Sequence, residues 1–241
     1  MAGPNGSERL EARLARLVEC YGLPSSASTQ LRCLHRLLVE DPLAPTSVRD
    51  PVKVTDDHLA DALVALALEP VRRAHALADL GSGAGLPGLP LAIALPAAKV
   101  ALVDSSARKC AFLERAVAAC GVANAEVVNA RLESWSQGLG AFDLITVRAL
   151  GPLEVVVEYA APLLARGGTL VVWRGRRDAE AEAVGARAAA EVGLEPDEIV
   201  PVKPYQASRN RYLHLMSKVM DTPAGFPRRP GMALKRPLGR P

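Results

Sequence analysis

The sequence has few residues that could build a metal centre or a disulfide framework. Its 241 residues include four cysteines, Cys20, Cys33, Cys110 and Cys120, and no two of them form a C-x-x-C pair. The four histidines do not pair at a metal-binding spacing either. We therefore expect reduced thiols and no metal site.

Long apolar runs, a secretion signal and aromatic residues are also scarce. No apolar run reaches the ~18–20 residues that would cross a bilayer. The segment "MAGPNGSERL" at the N-terminus lacks a basic start followed by an apolar core. These absences predict a cytoplasmic protein with no membrane segment. Because aromatic residues make up only 4% of the chain, Trp135 and Trp173 are expected to pack in the core rather than to stack on a ligand.

Positive charge is concentrated near the C-terminus. From Pro204 onward there are eight basic residues and one acid, Asp221, whereas the preceding 203 residues carry 21 basic and 25 acidic side chains. Residues 221–241 are also rich in proline and glycine, which predicts no long regular element there. The basic end indicates either a polyanionic partner, contacted by Arg228, Arg229, Lys235 and Arg236, or a solvated tail without a partner.

The pattern of apolar residues divides the chain into three parts. Residues 1–70 have helical periodicity and predict an N-terminal helical subdomain. Residues 71–220 alternate short apolar runs with helical patterns, which predicts an α/β core with a doubly wound, seven-stranded, mostly parallel sheet. Its last two strands, within "DEIVPVKPY" and "NRYLHLMSKV", are expected to form an antiparallel pair. Residues 221–241 form the basic tail.

A glycine-rich loop, "LADLGSGAGLPGLP", follows the first predicted strand and opens a helix. Gly83 begins a G-x-G-x-x-G dinucleotide pattern, and Asp104 ends the next strand, where an acid would bind ribose hydroxyls. Asp79 precedes Gly81 in D-x-G-x-G-x-G. A carboxylate there would repel a pyrophosphate but attract the sulfonium and ammonium groups of S-adenosylmethionine. The loop therefore favours S-adenosyl-L-methionine, and a nicotinamide dinucleotide is the alternative.

Several segments together resemble the bacterial 16S ribosomal RNA guanine-N7 methyltransferase family, also called glucose-inhibited division protein B. They are "HLADAL", "DLGSGAGLPGLPLAI", "LVDSSARKCAFLERA", "ARLES", "FDLITVRAL" and "FPRRPGMALKRPL". The resemblance spans about residues 55–238. It implies an enzyme of the Rossmann-like class I methyltransferase fold that uses S-adenosyl-L-methionine. It also implies small-subunit ribosomal RNA or the 30S particle as the substrate, and we expect a monomer.

The resemblance implies roles for particular residues around the cofactor. Gly81 and Leu86, with Gly83 between them, would border its methionine part. Asp104 would accept hydrogen bonds from its ribose, although a helix-capping role for Asp104 is open as well. Leu132 and Glu133 would lie beside its adenine, and a solvated loop acid is the alternative for Glu133.

Arg148 ends the fourth predicted strand in "TVRAL". Enzymes that methylate an exocyclic amine typically have Asn or Asp followed by Pro-Pro and an aromatic residue at this point, and that motif is absent. Guanine N7 is an unprotonated lone pair, so its methylation requires positioning and no general base. Arg148 is the candidate catalytic residue. It could hold guanine O6, support the cofactor site, or be a structural arginine paired with an acid.

Two residues of the N-terminal part, His58 and Asp61, are three apart on one helix face and are expected to brace the helices against the sheet. Two other functions are compatible with the sequence. One is a nicotinamide-dependent oxidoreductase that uses the same loop. The other is a non-enzymatic RNA-binding protein with a relic cofactor pocket.

Overall fold

The computed structural model of the protein describes residues 6–240, apart from the side chains at positions 7 and 9. Its centre is a seven-stranded sheet. The strands are β1 (Ala76–Leu80), β2 (Lys99–Asp104), β3 (Ala125–Asn129), β4 (Phe142–Arg148), β5 (Leu164–Arg174), β6 (Leu194–Pro201) and β7 (Tyr212–Lys218). Their order across the sheet is β3-β2-β1-β4-β5-β7-β6, and β7 runs antiparallel to both of its neighbours. The doubly wound α/β fold expected from the sequence is confirmed.

Helices cover both faces of this sheet. The α-helices are α1 (Gly6–Tyr21), α2 (Ala27–Glu40), α3 (Pro51–Lys53), α4 (Asp61–Leu63), α5 (Glu69–Arg72), α6 (Gly88–Ala94), α7 (Ala107–Cys120), α8 (Leu153–Ala160), α9 (Ala179–Glu191) and α10 (Met232–Lys235). A π-helical segment, Val54–Ala60, joins α3 to α4, and a 3₁₀ turn at Val64–Ala67 follows α4. The central strands are apolar on both sides because each side packs against helices.

One face of the sheet packs against the N-terminal helices together with α6 and α7. Leu14 of α1 and Leu34 of α2 belong to the same buried cluster as Leu77 of β1 and Leu102 of β2. Trp173 of β5 is buried in this cluster as well, and Trp135 is buried on the opposite face, so core packing is confirmed for both tryptophans. The division of the chain near residues 70 and 220 stays a prediction. A single apolar cluster spans the boundary at 70.

The C-terminal tail packs on the other face, against α8 and α9. Ala233 is buried, and Phe226 and Leu238 contact the cluster that includes Val156 and Ala188. The tail is also held by polar contacts, including the bond from the Gly239 amide to a Glu191 carboxylate oxygen, at 2.8 Å. The tail is therefore packed on the core rather than simply solvated. Its prolines prevent long helices and strands, but they do not prevent contact with the core.

Arg228 forms an ion pair with a buried acid, Glu158. Its Nε donates to Oε1 of Glu158 at 2.6 Å, and its Nη2 donates to Oε2 of the same residue and to the carbonyl of Arg236. The Glu158 side chain is only 2% exposed. Removing Arg228 would leave a buried carboxylate unpaired. Arg228 therefore anchors the tail, whereas Arg229, Lys235 and Arg236 are exposed, and RNA binding by these four residues stays a prediction.

Between residues 6 and 240, no helix is long and apolar enough to cross a bilayer.

Candidate active site

The sequence-predicted site residues meet at one edge of the sheet. Gly81 follows β1, Asp104 ends β2 and Arg148 ends β4, and these three strands are parallel. The strand order reverses direction between β1 and β4, where ligands bind in open parallel sheets. The two loops that flank this point touch each other. A Cβ atom placed on Gly81 would come within 2.6 Å of Leu150, two residues beyond Arg148.

The glycine loop is fixed by the neighbouring strand. The Gly81 amide donates to the carbonyl of Val103 at 2.8 Å, and the Gly83 amide donates to Asp104 Oδ2 at 3.1 Å. Gly83 has a φ of 56°, which a residue with a Cβ rarely adopts, and a Cβ there would meet nothing closer than 3.7 Å. The loop therefore presents open, side-chain-free backbone, which fits close approach of a ligand.

Asp104 is buried at the end of β2, and its Oδ1 accepts from the Ser106 amide at 2.9 Å. Lys109 donates to Oδ2, the oxygen that also accepts from Gly83, at 3.3 Å. These bonds anchor the glycine loop on one side of Asp104 and the start of α7 on the other. The Ser106 amide, which Asp104 binds, belongs to the residue that precedes α7. Each carboxylate oxygen has two acceptor sites, so Oδ2 is fully used and Oδ1 retains one site for a ribose hydroxyl. A carboxylate acceptor at this position fits the ribose hydroxyls of the expected cofactor, although direct contact stays a prediction.

Asp79 does not face the ligand space, contrary to the electrostatic reasoning from the sequence. It is fully buried below the loop, where its Oδ1 accepts from the Thr146 hydroxyl at 3.0 Å. Its Oδ2 accepts from the Gly88 amide at 3.1 Å, at the start of α6. Burial raises the pKa of Asp79 to about 6, while bonds from Ser82, Thr146 and Gly88 lower it. Asp79 thus ties the loop to β4 instead of contacting a cationic ligand directly.

The remaining cofactor candidates lie around the same loop and the end of β3. Leu86 is buried in the glycine loop. Leu132 and Glu133 form a 3₁₀ turn after β3, and Glu133 Oε1 accepts from the Gly231 amide of the tail at 2.9 Å. Glu133 is therefore not a solvated loop acid. It anchors the tail to the turn in which an adenine-side contact was expected.

Arg148 is held in a network of N-terminal residues. Its Nη1 donates to Asp61 Oδ2 at 2.9 Å and to the carbonyl of Asp57 at 3.0 Å, and its Nη2 lies 3.2 Å from His58 Nδ1. The side chain is 19% exposed. The acid-paired geometry considered for Arg148 is thus present. The three bonds use three of its five N–H groups, so Nε–H and one Nη2–H have no hydrogen-bond partner among residues 6–240.

His58 and Asp61 brace the helices against the sheet, as expected. His58 Nε2 lies 2.9 Å from the Thr46 hydroxyl, and the Asp61 carbonyl accepts from Trp173 Nε1 at 2.8 Å. Burial and the charge of Arg148 lower the pKa of His58, so its imidazole is neutral at pH 7. With both ring nitrogens engaged, His58 is not positioned as a general base.

Beside Arg148 is a cavity of about 440 Å³ at the carboxyl ends of β4 and β5. This volume lies within the ~300–1,000 Å³ range of small-molecule sites. Its charged lining comprises Asp57, Asp61, Arg148, Arg174, Arg176 and Arg211. The four arginines outnumber the two carboxylates, which gives the cavity a net positive lining suited to part of a nucleotide.

Sequence reasoning did not assign Asp57 or Arg211 to this site. Arg211 Nη2 lies 3.3 Å from Asp57 Oδ1, although the two residues are 154 positions apart. No local pattern links such distant residues, since their contact depends on β7 lying beside β5. The loop before β7 carries Arg211 to the same edge of the sheet as Asp57.

The chain matches the family described as rRNA small subunit methyltransferase G over residues 39–209. A ribosomal RNA small subunit methyltransferase G from Rubrobacter xylanophilus is 37% identical over 196 residues, which cover 79% of this chain and 75% of that protein. The protein of the same name from Desulfitobacterium hafniense is 35% identical, with coverage of 80% and 81%. These matches include the glycine loop and Arg148.

Solved structures resemble the fold at lower sequence identity. A SAM dependent methyltransferase from Aquifex aeolicus superposes with a TM-score of 0.54 and 17% identity, covering 70% of this chain and 94% of that one. The methyltransferase SibL superposes with a TM-score of 0.57 and 12% identity, covering 88% and 74%. At these identities the likeness concerns the fold alone.

We expect Gly83→Ala to weaken binding of S-adenosylmethionine at least tenfold, measured by titration calorimetry, because the new methyl group occupies the open face of the loop. Gly121→Ala is the matched control. Gly121 follows α7 with a φ of 62° and open space around it, so both variants carry similar backbone strain. Equal affinity of the two variants would place the ligand elsewhere.

The buried carboxyl of Asp79 predicts a pH-dependent stability difference. Between pH ~4 and ~6 the folded protein holds a proton on Asp79 that the unfolded chain has lost, because the folded pKa is raised to about 6. This group therefore makes the free energy of unfolding fall as pH rises through that window, by about 3 kcal/mol in total. Urea denaturation of wild type and Asp79→Asn from pH 4 to 7 isolates the effect. Parallel pH profiles of the two proteins would contradict it.

Proposed function

The chain belongs to the rRNA small subunit methyltransferase G family, and we propose that it transfers a methyl group to N7 of one guanine in small-subunit ribosomal RNA. The family match covers most of the chain, and the site lies where ligands bind in this fold. The residues at the end of β4 are the observation that favours guanine N7 over an exocyclic amine as the methylated atom. There, Arg148 lines the cavity and is followed by Ala149 and Leu150, instead of the Asn or Asp, Pro-Pro and aromatic residue typical of enzymes that methylate an exocyclic amine.

S-adenosyl-L-methionine is the cofactor, and the protein is an enzyme. When bound, the cofactor supplies an electrophilic methyl group, which is what a ring nitrogen with a free lone pair requires. Membership of a methyltransferase family sets aside the nicotinamide-dependent oxidoreductase and the RNA-binding protein with a relic pocket.

The residues of the chain position the two reactants. We propose that Gly81, Gly83 and Leu86 border the methionine part of the cofactor and that Asp104 accepts from its ribose. The turn at Leu132 and Glu133 would lie beside its adenine, with the Glu133 carboxylate occupied by the tail. The Leu150 contact with Gly81 brings the loop after Arg148 against the cofactor loop, so both reactants would share one edge of the sheet.

We further propose that Arg148 contacts guanine O6, the acceptor next to N7. Its guanidinium is oriented by Asp61, His58 and the Asp57 carbonyl, and the same side chain lines the cavity with Nε–H unbonded among residues 6–240. Because three neighbours already orient the Arg148 side chain, less conformational entropy is lost when the base binds. A smaller entropy loss favours catalysis that works by positioning the reactants. In this role Arg148 is both a brace and a substrate contact.

Backbone phosphates of the RNA would meet exposed cations. Arg229, Lys235 and Arg236 are the candidates in the tail, because they are exposed while Arg228 is paired with Glu158. The substrate could be free ribosomal RNA or the 30S particle. We propose that the enzyme acts as a monomer in the cytoplasm, since all proposed contacts come from one chain and bacterial ribosomal RNA is found there.

Reverse-transcription mapping of N7-methylguanine tests the function directly. Small-subunit RNA and 30S particles from cells lacking the protein are incubated with it and S-adenosylmethionine. We expect one new N7-methylguanine. Methylation of another atom, or none on either substrate, would refute the proposal.

In the same assay, Arg148→Ala should lower methyl transfer at least tenfold, equivalent to about 1.4 kcal/mol of barrier. Arg115→Ala is the control, because Arg115 lies on α7 and pairs with Asp41 away from the cavity. Because Arg148→Ala also unpairs Asp61, activity is measured at a temperature at which circular dichroism shows the variant folded. Unchanged kcat at saturating substrates would remove Arg148 from the site.

The tail makes two separable contributions. Replacing Arg229, Lys235 and Arg236 with Ala should weaken RNA binding and flatten its salt dependence, because each phosphate contact releases counterions. Melting temperature should barely change, since these side chains are exposed. Arg228→Ala should instead lower the unfolding free energy by about 3 kcal/mol, because Glu158 is left buried and unpaired. An unaltered salt slope in the triple variant would exclude the tail from RNA binding.

A further inference from the structure

The carboxylates in the cavity beside Arg148 have no ligand contact in the function proposed so far, although Asp61 orients Arg148. Asp61 is 93% buried within its lining, as its side chain is only 7% exposed. Its Oδ2 is bonded to Arg148, but its Oδ1 has no hydrogen-bond partner among residues 6–240. An ionised oxygen without a donor is costly in a buried position. The unfilled acceptor indicates that a donor from outside the chain completes this site.

Asp57 provides a second acceptor on the same cavity wall. Its side chain is 33% exposed, and its Oδ1 accepts from the Tyr205 hydroxyl. A carboxylate oxygen can accept a further bond besides this one. Asp57 and Asp61 lie one helical turn apart, so their carboxylates face the same side.

Arg211 bridges these two carboxylates loosely. Its Nε lies 3.3 Å from Asp61 Oδ1 without hydrogen-bond geometry, and its Nη2 lies 3.3 Å from Asp57 Oδ1. Charge-assisted bonds of this kind are normally about 2.7–2.9 Å long. The Arg211 side chain is 35% exposed and can move toward solvent. The Arg211 guanidinium is thus weakly bound between the two carboxylates. Its place there suits any group with two adjacent N–H donors.

Guanine has the same fork of donors as a guanidinium. Its N1–H and N2–H₂ groups are joined through C2, as Nε and Nη2 are joined through Cζ in arginine. Adenine and cytosine each offer an amino donor beside a ring nitrogen that accepts, and uracil offers one N–H between two carbonyls. Two adjacent carboxylate acceptors therefore match guanine and mismatch the other bases.

We propose that Asp57 and Asp61 recognise the target guanine by displacing Arg211, with Asp61 Oδ1 accepting from N1–H and Asp57 Oδ1 accepting from N2–H₂. This inference rests on the proposed function. It is compatible with Arg148 at O6, because O6 is adjacent to N1 on the base and Arg148 is adjacent to Asp61 in the site. The N7 edge would then lie beyond O6, on the side of the Leu150 and Gly81 contact.

The carboxylates would also favour the reaction electrostatically. The N7 lone pair forms the new bond to the methyl carbon, and the carbon–sulfur bond breaks with its electron pair staying on sulfur. No proton is transferred, and the guanine ring gains the positive charge that sulfur loses. Hydrogen bonds from N1–H and N2–H₂ to carboxylates strengthen as that charge develops, so they stabilise the transition state more than the bound substrate.

Inosine at the target position tests this assignment. Inosine keeps N7, O6 and N1–H but lacks the N2 amino group. Small-subunit RNA is assembled by ligation with guanosine or inosine at the mapped position, and kcat/KM is measured on free RNA and on reconstituted subunits. We expect wild type to prefer guanosine by about tenfold or more, and Asp57→Ala to reduce that preference to about twofold or less.

Two further variants separate recognition from folding. Asp56→Ala is the matched control, because Asp56 pairs with Arg13 away from the cavity and its loss should leave the guanosine preference intact. Asp61→Asn should lower the rate on both RNAs while keeping the preference, since N1–H is common to both bases. If a folded Asp57→Ala, verified by its melting curve, retained the wild-type preference, the assignment would be overturned. Failure of wild type to methylate the guanosine RNA would instead overturn the proposed function.

Discussion

The ion pair between Arg148 and Asp61 joins the two principal parts of the molecule. Arg148 belongs to the central strand β4, and Asp61 begins α4 in the N-terminal helices. Both side chains are largely buried, and removal of Asp61 would leave the Arg148 guanidinium without the carboxylate that compensates its charge, at a cost of about 3–5 kcal/mol. The pair also orients the guanidinium at the edge of the cavity. The bond that holds the helices on the sheet is therefore the bond that shapes the proposed substrate pocket.

Much of the fold could be predicted because its signals are local. The strands from β1 to β5 are short apolar runs between glycine or polar residues, and the structure ends β2 at Asp104 and β4 at Arg148, as those runs indicate. The glycine loop was found for the same reason. Its residues are contiguous, and a strand before it with a helix after it is a pattern that single-sequence periodicity can detect.

The cavity and the tail were harder to predict, because their partners are distant in the sequence. Nothing near Asp57 indicates Arg211, and nothing near Arg228 indicates Glu158. Composition left open that the proline-rich tail is solvated. It could not show that Glu158, a buried acid on α8, pairs with a cation of the tail. Asp79 is the opposite case. The sequence correctly placed Asp79 at the end of β1, directly before the glycine loop. It did not reveal that the Asp79 carboxylate is buried beneath the loop instead of facing the ligand.

The bond between the Gly231 amide and Glu133 has a consequence for the order in which the protein is made. A chain that emerges from the ribosome can pair β1 to β4 and form the glycine loop before the tail exists. The turn at Leu132–Ser134 receives its anchor only after residue 231 has been added, roughly a hundred residues later. Synthesis thus completes the glycine loop before the turn that we propose to lie beside the adenine receives its anchor. That anchor comes from a segment outside the sheet, so a chain that ends before residue 231 would have the loop without it.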